Sequence, residues 1–297
     1  MKLGLIFNPT ARGNKARHFR ESLDRLGRDV RVLPTRGPGD ARTLAKELTL
    51  EGCKTLVAVG GDGTVNEVLN GICDAPEGLA RTRLGVIPLG TVNVFAKEMR
   101  IPVGFEGAWR VVQVGHERLI DVPHAEFTRP DGALERRHFV LMAGSGLSAR
   151  AVARVNWSLK KRVGPLAYIW AGLQALRPPL PELEVALRGT RHSTPWIEVG
   201  NGIYYGGRFA FFPNARLDDG AIDVLVLPRV NGLILARTFF RVLAHRLMNS
   251  PDVRHFQTSE LTLTSRHAMP FHLDGDCVGN LPARITVRPR ALRVLVP

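Results

Sequence analysis

The run Val57-Ala58-Val59-Gly60-Gly61-Asp62-Gly63-Thr64-Val65-Asn66 constrains this chain more than any other stretch. A β-branched apolar segment passes directly into glycines and an amphipathic segment follows, which reads as strand, tight turn and helix start. Glycine lets the backbone approach a bulky anion and tolerates positive φ. The N–H groups opening the helix beyond it, with their partial positive charge, suit a phosphate. An aspartate inside such a loop repels phosphate unless a cation lies between them. The pattern therefore reads as a nucleotide-phosphate site with Mg²⁺, hence phosphoryl transfer. Its expected members are Gly60, Gly61, Asp62, Gly63, Thr64, Val65 and Asn66. Asp62 has the plainer alternative of capping the next helix, and Thr64 and Asn66 cap as readily as they bind phosphate.

Strand and helix signals alternate around this run: strands at Lys2–Phe7, Val30–Leu33, Thr55–Val59 and Leu84–Pro88, helices at Ala16–Leu26, Asp40–Glu51 (Asp40 as N-cap) and Asn66–Ile72. That spacing implies βαβ units and a parallel sheet, whose ligands bind beyond the C-terminal strand ends. Asn8–Gly13, Gly60–Thr64 and Pro88–Asn93 all fall at such ends. From about Glu117 the pattern changes to short β-rich runs: Arg118–Val122, His138–Ala143, Leu183–Leu187, Trp196–Tyr204, Ala221–Leu227, Glu260–Thr264 and Arg284–Val287. These predict a largely antiparallel β-sandwich or barrel as a second domain, with helical insertions at Ser158–Leu176 and Gly232–Met248. The expected division is an α/β nucleotide-binding domain over 1–122 and a β-rich domain over 123–289.

The apolar fraction of 44% is that of a globular protein. Three cysteines, Cys53, Cys73 and Cys277, without metal-site spacing point to a reduced, cytoplasmic setting. No run approaches the roughly 18 apolar residues of a membrane span. The net charge of +14 suits nucleic acid, an anionic membrane surface or clustered phosphates, and an Arg-rich genome explains it as well. Basic residues are spread along the chain and no nucleic-acid motif is present, so nucleic acid is not an expected partner.

With Pro88-Leu89-Gly90-Thr91-Val92-Asn93-Val94-Phe95-Ala96, the glycine run resembles the diacylglycerol kinase catalytic family. Asn8-Pro9-Thr10-Ala11-Arg12-Gly13 is similar to that family's first nucleotide loop. Leu159–Tyr168 resembles a helix of its bacterial members. Gly200-Asn201-Gly202 with Tyr205-Gly206-Gly207, Pro213–Gly220 and Leu273-Asp274-Gly275-Asp276 resemble its second-domain signatures. The resemblance implies ATP as donor, Mg²⁺, a lipid hydroxyl as acceptor, a nucleotide bound between two domains and a last strand, 290–297, that returns to the first domain.

It also implies roles. Asp62 would orient nucleotide-bound Mg²⁺ through water; Asn8, Pro9, Thr10, Ala11, Arg12, Thr35 and Thr91 would contact nucleotide. Thr35 reads equally as a simple loop threonine, and Thr91 as a helix cap. Asp276 would be the general base, where the family has Glu; Asp274 is the rival base or part of the metal network. Asp121 would join the Mg²⁺ network. Asp219, with the carbonyls of Arg216 and Ala221, would form a structural Mg²⁺ loop, its alternative being a hairpin turn. Two departures stand out: Val94 where the family has Asp, and Leu141 where bacterial members often carry Asn.

A lipid kinase works at a bilayer, so the expected setting is peripheral, at the inner face of the membrane. Arg237, Arg241 and His245 recur at one face of Gly232–Met248 opposite Leu233, Phe240, Leu243 and Leu247, an arrangement that suits an anionic leaflet or an ordinary surface helix. Lys160–Arg162 beside Leu166–Trp170 is a second such patch. A homodimer through the second domain is open, with no residue pattern specifying it. The rivals are an NAD kinase and a non-catalytic lipid- or nucleotide-binding regulator.

Overall fold

The computed structural model describes residues 3–10, 30–154, 176, 180, 182–207 and 209–297, so Ala11, Arg12 and the helices expected at Ala16–Leu26 and Ser158–Leu176 lie outside the described residues, Leu176 excepted. The chain divides into two compact units, Met1–Val122 with Pro289–Pro297 and Pro123–Arg288.

In the first unit β1 (Leu3–Phe7), β2 (Val30–Pro34), β3 (Thr55–Gly60) and β4 (Arg83–Pro88) pair in parallel in the order β4-β3-β1-β2. β3 is buried throughout, as a central parallel strand covered on both faces must be. Helices α1 (Asp40–Leu50), α2 (Asp62–Asp74), α3 (Gly78–Arg81), α4 (Val94–Glu98) and α5 (Phe105–Val114) fill the connections. Asp40 is not the N-cap of α1. That place belongs to Gly39 at φ 83°, and Asp40 sits one residue inside. Its carboxylate accepts the Arg36 N–H at 2.8 Å, which with the Arg36 guanidinium holds it below the usual carboxylate range.

β5 (His116–Thr128) begins in the first unit and continues in the second. There β6 (Leu134–His138), β7 (Met142–Gly146), α6 (Leu147–Arg154), β8 (Leu183–Leu187), β9 (Thr190–Thr194), β10 (Trp196–Gly200), β11 (Tyr204–Tyr205), β12 (Phe209–Ala210) and β13 (Ile222–Leu227) follow. α7 (Gly232–Leu243), β14 (Arg254–Thr258), β15 (Glu260–Thr264), β16 (Pro270–Leu273) and β17 (Asp276–Val296) complete the chain. One antiparallel path runs β14-β13-β10-β7-β16-β17; β17 also pairs β15, which continues through β8 to β9. Inward residues of these strands, among them Ile197, Val224, Leu263, Phe271 and Ile285, form one sandwich core with Phe127 of β5 and Phe139 of the β6–β7 connection. The tail of β17 returns to pair with β4 in parallel, Val294 against Leu84.

Candidate functional site

The nucleotide candidates gather because all four parallel strands of the first unit end on one side of their sheet. Asn8 follows β1, Thr35 follows β2, Gly60 ends β3 and Leu89–Asn93 follows β4. The Asn8 N–H donates to the Val59 carbonyl (3.0 Å) and the Thr35 N–H to the Phe7 carbonyl (2.8 Å), which carries the sheet register into the loops. Asn8 Nδ2 reaches Thr64 Oγ1 at 3.4 Å, while its Oδ1 accepts the Thr10 N–H at 2.9 Å and the Thr10 hydroxyl at 2.8 Å. Pro9 lies within this turn.

α2 starts earlier than its apolar pattern suggests. The N-cap is Gly61, so Asp62, Gly63 and Thr64 form the first turn instead of a loop before it. Helix geometry leaves their N–H groups without intrahelical acceptors. Val65 contributes neither an N–H nor a side chain: its amide donates to the Gly61 carbonyl at 3.1 Å and its side chain is buried. Asn66 lies one turn further and accepts from Asn70 Nδ2 at 3.1 Å.

Asp62 has a partner that its sequence position conceals. Its two carboxylate oxygens accept the backbone N–H groups of Val94 (3.0 Å) and Phe95 (2.9 Å), capping α4 across more than thirty residues. It does cap a helix, but not the one it starts. The loop between is drawn in further by Gly60, whose carbonyl accepts from Leu89 (2.8 Å) and Gly90 (3.2 Å). A Cβ on Gly90 would fall 2.5 Å from the Gly61 Cα, so the two loops meet as bare backbone. Thr91 is exposed on the outer rim and Asn93, at φ 55°, donates to the Gly90 carbonyl at 2.8 Å. Val94 offers its N–H to Asp62 where an acidic side chain was expected.

In the second unit the hairpin between β16 and β17 carries Asp274 and Asp276. Asp274 stands at φ 47°, and its carboxylate accepts three backbone N–H groups, from Val140 (3.0 Å), Leu141 (2.9 Å) and Met142 (2.9 Å). That network holds the turn against β7, and it engages Leu141 through its backbone whatever its side chain. Asp276 lies across the hairpin from Leu273 and is exposed. Burial, and then the charge of Asp276, push the neighbouring Cys277 thiol up.

The metal candidates divide. Asp121 is 1% exposed and accepts the Arg290 N–H at 2.7 Å, a structural tie of the returning strand. Asp219 Oδ1 accepts the Ala221 N–H at 3.1 Å, an Asx-type turn, and the Arg216 guanidinium is directed to Asp218 at 3.4 Å, away from Asp219. Among the described residues no three His, Cys, Asp or Glu side chains cluster as metal ligands. Asp219 with backbone carbonyls still offers the oxygen donors that a hard cation takes, and its basic neighbour Arg216 pairs with Asp218.

One site went unread in the sequence. A cavity of about 340 Å³ opens beneath α7, lined by Leu147 and Ala151 of α6, by Glu198 of β10 and by Leu235, Thr238, Phe239, Phe240 and Val242 of α7 itself. The available signal was Glu198, a lone acidic residue in the otherwise apolar run Trp196–Val199. α7 itself is shorter than expected: it ends at Leu243, and Leu247 is buried in a separate 3₁₀ turn. Arg237 pairs with Asp252 at 2.7 Å, Arg241 donates to the Asn249 carbonyl at 2.9 Å, and His245 lies past the helix. The expected basic stripe is thus tied down, and the outward face is apolar: Leu233 is 72% and Phe240 67% exposed.

Residues 2–125 match the family described as the diacylglycerol kinase catalytic domain. Residues 142–296 match the YegS C-terminal NAD kinase beta sandwich-like domain. The chain belongs to the diacylglycerol kinase family. Similar relatives are the diacylglycerol kinases of Staphylococcus aureus strains bovine RF122 / ET3-1 and MRSA252, each 29% identical over 314 residues, covering 99% of this chain and 91% of theirs. A crystal structure of a diacylglycerol kinase from Bacillus anthracis str. Sterne superimposes with a TM-score of 0.79 at 23% identity, covering 100% of this chain and 97% of that one. Yeast NADH kinase complexed with NADH gives 0.51 at 12% identity over 100% and 84%. The shared fold is therefore that of diacylglycerol and NAD kinases, and the relatives similar over nearly the whole chain are named diacylglycerol kinases.

Proposed function

We propose that this protein transfers the γ-phosphoryl group of ATP to a hydroxyl of a diacylglycerol-like lipid. The observation that carries the lipid acceptor is the apolar cavity of about 340 Å³ in the second unit, a volume and lining suited to part of an acyl chain. The glycine loops and the first turn of α2 suit the donor's phosphates. Mg²⁺, when bound, supplies charge neutralisation of the phosphates; Asp62 is the residue to orient it through water, and Asp219 with the Arg216 and Ala221 carbonyls to hold a structural ion. Asp276 accepts the proton of the lipid hydroxyl as its oxygen bonds to the γ-phosphorus; the bond to the β–γ bridging oxygen breaks and ADP leaves. Asp274, with three N–H groups on its carboxylate, positions the turn that presents Asp276.

The acceptor is met at a bilayer. Leu233, Phe240 and Leu243 form an outward apolar strip on α7, and no described helix is long and apolar enough to cross a membrane. Labelled ATP is the test, with diacylglycerol and other lipids in detergent micelles and a parallel arm with NAD. Organic-extractable label that requires Mg²⁺ is the expected result. Label in a dinucleotide, or in no product from ATP-binding protein, would overturn the reading.

A further inference from the structure

One outward sheet face of the second unit carries polar side chains that phosphoryl transfer does not use. His124 and Glu126 on β5 point away from the core, because Ala125 and Phe127, which alternate with them, point into it. Their register partners on β6 are His138 and Arg136. On β17, Arg284, Thr286 and Arg288 alternate outward while Ala283, Ile285 and Val287 pack inward. β5 and β17 meet on this face where Thr286 Oγ1 lies 3.0 Å from His124 Nε2. The His124 and His138 rings lie side by side, their centroids 5.4 Å apart. All of these residues fall within the second unit.

Charge on the face does not balance. Arg136 pairs with Glu126, and Arg284 pairs with Glu260 of β15 at 3.0 Å. Both pairs are largely exposed, where such a pair contributes little. Arg288 is exposed and has no carboxylate partner among the described residues. Three guanidiniums thus stand against two carboxylates. Burial first, then this arginine charge, holds the His124 imidazole below its ordinary range, with Glu126 opposing. The surplus is one positive charge with both imidazoles neutral and three with both protonated.

We propose that this face binds an oxyanion of the phosphate class beside Arg288, Thr286 and the two imidazoles. The assignment is independent of the kinase reading. The guanidinium supplies a fixed charge and a planar fork of donors that matches two oxygens of such an anion. With His124 Nε2–H on its oxygen, the Thr286 hydroxyl keeps its proton for an outside acceptor. A surplus that grows from one to three suits a dianion, which a phosphate monoester approaches at neutral pH, better than a single carboxylate. Two imidazolium rings this close repel each other unless an anion sits beside them. Anion and proton therefore bind together, and affinity rises as pH falls through the histidine range.

Sodium sulfate is the probe, because it stays a dianion while the protein alone titrates. The full chain is titrated by calorimetry at pH 7.5 and 5.5, at an ionic strength fixed with chloride, and the imidazole signals of His124 and His138 are followed by NMR. Sulfate should bind about tenfold more tightly at pH 5.5 and raise the titration midpoints of both imidazoles. Arg288→Gln should weaken binding at pH 5.5 about tenfold. His124→Gln should cut the pH effect to about threefold, one of two titrating rings being gone. ATP affinity should be unchanged in both variants, which separates this face from the glycine loops of the first unit. Phosphatidylcholine vesicles with and without phosphatidic acid distinguish the source. Sedimentation at pH 5.5 that needs both phosphatidic acid and Arg288 assigns a lipid headgroup, and sulfate binding without it assigns a free phosphate compound. Sulfate binding that ignores pH, that survives both substitutions, or that leaves the imidazole midpoints in place overturns the proposal.

Discussion

Asp274 and Asp276 are two residues apart and do different work. Asp274 spends its carboxylate on three N–H groups more than 130 residues earlier in the chain, whereas Asp276 is exposed beside the turn. Charge-assisted bonds of this kind contribute about 1.5–3 kcal/mol. Asp274→Asn should therefore lower the stability of the second unit by about 2 kcal/mol in a urea titration. Asp276→Asn should leave that titration unchanged and cut lipid phosphorylation by about 10²–10⁴, the usual share of a general base. Retained transfer in Asp276→Asn together with loss in a folded Asp274→Asn would reverse the assignment. Both aspartates were candidates in the sequence. Spacing alone could not divide them, because what separates them is a partner segment that only the fold brings near.

Elements show the same dependence on distant partners. The glycine loop and the loop after β4 were each legible locally, but not that they touch. Gly90→Ala would place a Cβ 2.5 Å from the Gly61 Cα and 2.6 Å from Asn93 Oδ1, so the backbones must part. ATP affinity by calorimetry should fall at least about tenfold, since a shift of loop backbone undoes the phosphate cradle. The β5–β6 hairpin carries a pH dependence. Burial first, then the charge of Arg136, hold the His124 imidazole below its ordinary range, with Glu126 opposing and Arg288 and Arg284 adding to the lowering. The unfolded chain then protonates first as pH falls below about 6.5, so this histidine's contribution is complete above that value and lost beneath it. Urea midpoints of the wild type should drop between pH 7.5 and 5.5 more than those of His124→Gln, and equal drops would contradict the assignment.

On the scale of the molecule, the proposed contact with a bilayer rests on the exposed apolar face of α7, Leu233, Phe240 and Leu243. Leu233→Ser with Leu243→Ser, neither of which lines the cavity, should reduce co-sedimentation with phosphatidylglycerol vesicles by about tenfold or more, since each side chain buries on the order of 1.5–3 kcal/mol of apolar surface. Transfer to a soluble short-chain acceptor should persist. Unchanged vesicle binding would remove the membrane role of α7. The parallel sheet, the loops at its strand ends and the β-rich second half were readable from the amino-acid order, whereas the strand returning at the C-terminus came only from the family resemblance. Periodicity, glycine turns and helix starts are local, and each is written within about ten residues. Tertiary structure alone decided which helix Asp62 caps, which aspartate braces the hairpin, and that Glu198 meets His272 over the bare backbone of Gly144. Those contacts join residues 32 to 134 positions apart, and only sheet register and helix packing bring such partners together.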